Sequence, residues 1–140
     1  MTPTPSPREP ESLATIRALS RDRPLRPVPA GEVVFRAGDP GEELYGIVSG
    51  RIVIEHPGSG CREILGAGHC FGIGALVDAS HRRDETAWAA TDAGLLVMNR
   101  EQFLLAVQEL PMFGLELLHD LDLRLREFRA SGPEPDPHAG

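Results

Sequence analysis

The chain has 140 residues, 41% hydrophobic and 25% charged, with a formal net charge of −7. That length suits one domain with one packed core. The acidic balance and the lack of a large basic cluster exclude a duplex-binding surface, which needs many clustered cations to neutralise phosphates.

The first element expected is a short helix. The opening MTPTPSPREPES has no charged-then-apolar signal pattern, and residues 1–11 read as a disordered N-terminus. Ser12 is placed to cap a helix carrying Leu13, Ile16 and Leu19. That helix should end before Arg23, because Pro24 disfavours helical geometry in the residue ahead of it.

Short apolar stretches follow, several of them β-branched: Glu32–Phe35, Leu44–Ser49, Arg51–Glu55, Cys61–Leu65, Thr86–Ala90 and Leu95–Met98. Glycine- or proline-bearing turns separate them at short intervals. This is the signature of an antiparallel sandwich or barrel. The spacing predicts that 44–49 and 51–55 meet at a tight turn around Gly50.

The end of the chain reads as helical. Asn99 and Gln102 have capping-box spacing, opening a helix over 100–110. Pro111 suits the first position of a second helix. Leu118, Leu121, Leu125 and Phe128 then recur at three- and four-residue steps, a seam about two heptads long. Arg124, Arg126 and Arg129 suit the negative end of its dipole. Residues 131–140 read as a disordered tail. No apolar run approaches the ~20 residues that span a bilayer. Cys61 and Cys70 form neither a C-x-x-C motif nor a zinc-spaced set, so they read as free thiols of a cytoplasmic protein.

These residues resemble the cyclic nucleotide-binding domain, and more closely the sensor half of Crp/Fnr-type regulators. The pieces that carry the likeness occur in family order. They are Val33-Val-Phe-Arg-Ala-Gly-Asp39, Leu44-Tyr-Gly-Ile-Val-Ser-Gly-Arg51, Gly68-His-Cys-Phe-Gly72, Thr86-Ala-Trp-Ala89, Thr91-Asp92 and Arg100-Glu-Gln-Phe103. The resemblance covers roughly 12–129. It implies a mainly β fold: a double-stranded β-helix (jelly roll) over about 30–99, with flanking helices and C-terminal helices over about 100–129, in one domain spanning 12–130.

The resemblance also implies a phosphate cassette. Phe71, Gly72, Ala75 and Leu76 match it, Gly74 lies within it, and Arg83 falls at its arginine. Three positions depart. Ile73 replaces a glutamate that would accept the ribose 2′-hydroxyl, Asp84 replaces a Ser or Thr, and Glu85 replaces a small residue. Carboxylates beside a phosphate repel it. Two arrangements are open: Asp84 and Glu85 face the cradle, or they pair with Arg82 or Arg83 and leave it internally satisfied. The family caps the bound base with polar side chains of the long helix. Here that helix has no Ser or Thr between Pro111 and Ala130, leaving Asp120, Asp122 or Arg124 for the role. Tyr45 and Trp88 are shaped either to stack a base or to pack in a strand.

The function expected is a non-enzymatic regulatory or sensor module for cyclic AMP or a related small anionic ligand, without another cofactor, and a homodimer through the leucine seam. The alternative is a protein-interaction module with a vestigial site and an unknown protein partner. Residues 131–140 leave no room for a helix-turn-helix domain, so direct DNA binding is not expected. A cupin-like metal enzyme shares the roll but wants a His-x-His pair, and His56, His69 and His81 do not supply one.

Overall fold

The computed structural model describes residues 10–19 and 23–130. The unstructured termini expected at 1–11 and 131–140 lie outside the described residues except for Pro10 and Glu11, and Glu11 begins a helix. The elements are α1 (Glu11–Leu19), β1 (Arg26–Val28), β2 (Val33–Phe35), β3 (Glu43–Ser49), β4 (Ile52–Glu55), β5 (Arg62–Leu65), β6 (Cys70–Phe71), α2 (Gly74–Val77), β7 (Thr86–Ala89), β8 (Ala93–Asn99), α3 (Arg100–Glu109) and α4 (Pro111–Ala130).

Two antiparallel four-stranded sheets face each other, in the orders β1-β8-β3-β6 and β2-β7-β4-β5. The expected jelly roll with C-terminal helices is therefore present. Strands β3 and β8 are apolar through their middles, at 44–48 and 93–98, because both of their faces are covered there. Tyr45, Ile47 and Leu95 point between the sheets, with Phe35, Ile52, Ile54 and Phe71. Leu44, Leu96 and Met98 point the other way, against Leu13, Ile16, Ala106, Phe113 and Leu117 of the helices. The roll thus carries its helices on the back of one sheet. Gly46 permits this close docking, since a Cβ there would lie 2.3 Å from Leu13 Cδ1.

Two local expectations are corrected. Strands β3 and β4 do not form a hairpin, because they belong to different sheets. The chain crosses between sheets at Gly50, whose φ of +83° suits glycine, and a Cβ there would meet the Asp92 carbonyl at 2.2 Å. Ser12 is no cap either. It lies inside α1 and is buried, where its side chain hydrogen-bonds the Cys70 thiol. Burial pushes that thiol up to about 12, so Cys70 stays protonated and inert. Both cysteines are free. The capping box forms as expected, with Gln102 N–H donating to Asn99 Oδ1 at 2.8 Å and Asn99 N–H donating to Gln102 Oε1 at 3.0 Å.

Candidate functional site

A cavity of about 510 Å3 opens between the end of the roll and the C-terminal half of α4. That size falls in the range of small-molecule sites. Its floor is the turn Gly72–Ala75, and Phe35, Arg83, Asp84 and Glu85 form one side. His56 and Glu63 continue the wall beside Glu85, and Leu121, Arg124, Leu125 and Phe128 of α4 close over it.

The floor turns because Gly72 sits at φ +83°. A Cβ there would lie 2.9 Å from Arg83 Nη1 and 3.3 Å from the Phe35 and Tyr45 rings. Ile73 then leads into α2, so Gly74 and Ala75 present backbone to the cavity. Phe71 and Leu76 do not line it. Phe71 is a core residue between the sheets, and Leu76 packs under the helices.

Arg83 is only 5% exposed. Its Nη1 donates to the Gly72 carbonyl at 2.7 Å and its Nη2 to the Glu43 carbonyl at 2.8 Å. The guanidinium lies over the Phe35 ring, 4.2 Å from its centroid, where cation–π attraction adds to the hydrogen bonds. Nε has no partner among the described residues. Burial pushes the guanidinium's pKa down, although Arg remains charged at any ordinary pH. Arg83 is therefore first a clamp that ties the cradle to β3, and the cavity meets only its edge.

The two carboxylates do not pair with the neighbouring arginines. Arg82 Nη1 donates to the Gly38 carbonyl at 2.9 Å, and Arg83 is held as described. Asp84 is exposed at the cavity edge. Glu85 Oε2 lies 3.4 Å from His56 Nδ1, and His56 Nε2 lies 2.8 Å from Glu63 Oε1. Glu63 in turn takes a forked contact from Arg124, with Nε at 3.1 Å and Nη2 at 3.2 Å. Arg124 Nη1 also donates to the Cys70 carbonyl at 3.3 Å. The His56 ring meets Phe128 edge-on.

A polar string, Arg124–Glu63–His56–Glu85, thus crosses the cavity wall. Burial pushes the Glu63 carboxyl up, but hydrogen bonds from Arg124 and His56 outweigh it and hold Glu63 below its ordinary value. At Glu85, burial outweighs the attraction of His56 and Arg124 and holds the carboxyl above its ordinary value.

Of the three residues considered for the helix, Arg124 faces the cavity. Asp120 accepts from His69 Nδ1 at 2.8 Å, and Asp122 pairs with Arg126. Tyr45 and Trp88 both pack: Tyr45 stacks on Phe71, and Trp88 lies beneath Arg62. The leucine seam divides, with Leu121, Leu125 and Phe128 over the cavity and Leu118 62% exposed. Sequence reasoning missed Glu63 and His56. Strand alternation was the available signal for Glu63, since it shares a face with buried Leu65.

The cyclic nucleotide-binding domain family matches residues 25–109. The chain belongs to that family. It is 35% identical over 103 residues to a cyclic AMP receptor protein of Thermus thermophilus, covering 71% of this chain and 47% of that protein. It is 37% identical over 95 residues to a cyclic nucleotide-gated potassium channel of Rhizobium etli, covering 66% of this chain and 26% of the channel. The chain thus spans half or less of these curated relatives. Among solved structures, the Thermus thermophilus catabolite activator protein superposes with a TM-score of 0.65 at 29% identity, over 86% of this chain and 57% of that one. A structure solved in work on a cyclic-GMP-dependent pathway of bacterial phytopathogenesis gives 0.70 at 26% identity, over 84% of this chain and 93% of that one. Among the described residues, no helix is long and apolar enough to cross a membrane, and no three His, Cys, Asp or Glu residues converge as metal ligands.

Proposed function

We propose that this cyclic nucleotide-binding domain is a non-enzymatic, cytoplasmic sensor that takes a singly charged anionic ligand of the cyclic nucleotide kind into the cavity above Gly72–Ala75. The observation that carries this is the position of the cavity. It lies between the cradle turn and α4, so an occupant touches the roll and Leu121, Arg124, Leu125 and Phe128 at once. The relatives' names, a cyclic AMP receptor and a cyclic nucleotide-gated channel, support the ligand class. Occupancy then biases how α4 docks, which is how a binding event leaves the domain.

Ile73 in place of an acidic acceptor makes the site weaker for ribose than the family pattern. Loss of a charged hydrogen bond costs about 1.5–3 kcal/mol, so micromolar or weaker binding is expected. Calorimetric titration with cyclic AMP and cyclic GMP tests the reading. Saturable heat, with slowed hydrogen exchange in α4, supports it. A folded protein giving no heat at millimolar ligand overturns it.

A homodimer is proposed alongside. Leu115 and Leu118 of α4 are 57% and 62% exposed, with Met112 at 58%. A second copy packed along this helix would cover them, as apolar surface of this kind favours. The same face would serve a protein-interaction module if the cavity proves empty of function.

A further inference from the structure

We propose that Glu85, beside His56, must carry a proton for the cavity to accept an anion. Glu85 is then the residue that sets the ligand charge the site tolerates. This rests on the anion-binding function proposed for the same cavity.

The geometry favours a proton on Glu85. His56 stands between two carboxylates, Glu63 at 2.8 Å from Nε2 and Glu85 at 3.4 Å from Nδ1. A neutral imidazole has one N–H and one lone pair. With its hydrogen directed to Glu63, the lone pair of Nδ1 faces Glu85, and an ionised Glu85 there is repelled. A protonated Glu85 carboxyl removes that repulsion, because its O–H can donate to Nδ1. The other tautomer merely moves the conflict to Glu63, which the Arg124 fork holds ionised.

The charges around Glu85 give the consequence. It is faced by His56 from the turn after β4, Glu63 from β5 and Arg124 from α4, with Asp84 and Arg83 beside it on its own segment. With that proton on Glu85, Arg83 and Arg124 balance Glu63 and Asp84. Without it the lining is net negative and repels a phosphodiester. Burial already favours protonation of Glu85. Anion binding is therefore coupled to about one proton, and affinity falls about tenfold per pH unit once Glu85 has released it.

The test is calorimetry of the wild-type protein and Glu85→Gln with cyclic AMP and cyclic GMP. Titrations run at about pH 6, 7 and 8, in two buffers of different ionisation enthalpy, beside thermal melts that confirm folding. The expected wild-type result is proton uptake that grows toward one as pH rises, with affinity weakening in step. Glu85→Gln removes one negative charge and lets the amide donate to Nδ1. It should bind with no proton uptake, show a flat pH profile, and bind about tenfold or more tighter than wild type at the highest pH. Wild-type binding that is independent of pH and buffer overturns the proton inference and leaves the sensor reading intact. No heat from either folded protein at any pH overturns both. If Glu85→Gln does not fold, the wild-type proton number decides alone, and a value of zero at every pH, the highest included, overturns the inference.

Discussion

The guanidinium of Arg83 lies so close to Gly41 that a Cβ on Gly41 would sit 2.2 Å from Nε and 2.6 Å from Cζ. The glycine is the open side of a slot whose other wall is the Phe35 ring. The arginine enters it because its own backbone is fixed by the turn before β3. Arg83 N–H donates to the Asp39 carbonyl, and its carbonyl accepts from Gly38 N–H, both at 2.7 Å.

Gly41→Ala should therefore act on the cradle without altering any cavity residue. It displaces the Arg83 side chain from the Gly72 and Glu43 carbonyls, and the loss of such bonds costs about 1–3 kcal/mol. Arg83→Ala strands both carbonyls and should cost about 3 kcal/mol. Urea denaturation of the two variants checks this. Wild-type midpoints would show that Arg83 is not a clamp. The result also bears on ligand assays: lost binding in Arg83→Ala would not by itself prove that Arg83 touches the ligand.

Much of this architecture is legible in the sequence, and its gaps have physical causes. Strands β3, β4, β7 and β8 announce themselves because their residues are buried on one or both faces. β1 does not, since Arg26-Pro27-Val28 has one proline with no N–H and one charge in three residues. β6 is only Cys70–Phe71, too short for any periodicity. The Gly50 turn reads as a hairpin because sequence shows where a chain turns but not which sheet it rejoins. On β5 the hydrophobic expectation inverts: Ile64 is 65% exposed while Glu63 points into the cavity. The cradle positions were legible through family resemblance. The wall beside it was not, because Arg124 and Glu63 are 61 residues apart and meet only through the fold.

Ile73 offers a gain-of-function test of the ligand class. It lines the cavity at the start of α2 and packs partly against the helix-side core. Ile73→Glu places an acceptor where a ribose hydroxyl would lie in the family arrangement. Cyclic AMP affinity should rise about ten- to a hundredfold by calorimetry, in line with a charged hydrogen bond of about 1.5–3 kcal/mol. Unchanged or weaker affinity in a folded variant would mean the ligand's sugar is absent or lies elsewhere.

The proposed dimer has its own direct check. Leu118 projects away from the cavity and is 62% exposed. Leu118→Glu puts a charge on the apolar strip that a second copy would cover. Sedimentation should show a dimer for the wild type and a monomer for the variant, with cyclic nucleotide binding retained. A wild-type monomer at high concentration would remove the homodimer proposal.

Helix α4 is held to the roll by two ties with opposite pH dependence. Glu63 grips Arg124, and its carboxyl is held below the ordinary value of 4.5 because the Arg124 and His56 hydrogen bonds outweigh its burial. A depressed carboxyl contributes stability fully above its unfolded value, and the contribution is lost as pH falls through the folded one. Asp120 grips His69, and that hydrogen bond raises the imidazole above its ordinary 6.5. A raised imidazole contributes fully below its unfolded value, and the contribution is lost as pH rises through the folded one. Both ties are therefore complete only between about 4.5 and 6.5. Docking of α4 should be firmest in that window and loosen on either side. Asp120→Asn should lower the His69 pKa in an NMR titration and remove the stability change on the alkaline side, leaving the acid side unaltered. If His69 titrates at its ordinary value in the wild-type protein, the alkaline tie is absent and the pH window closes only on the acid side.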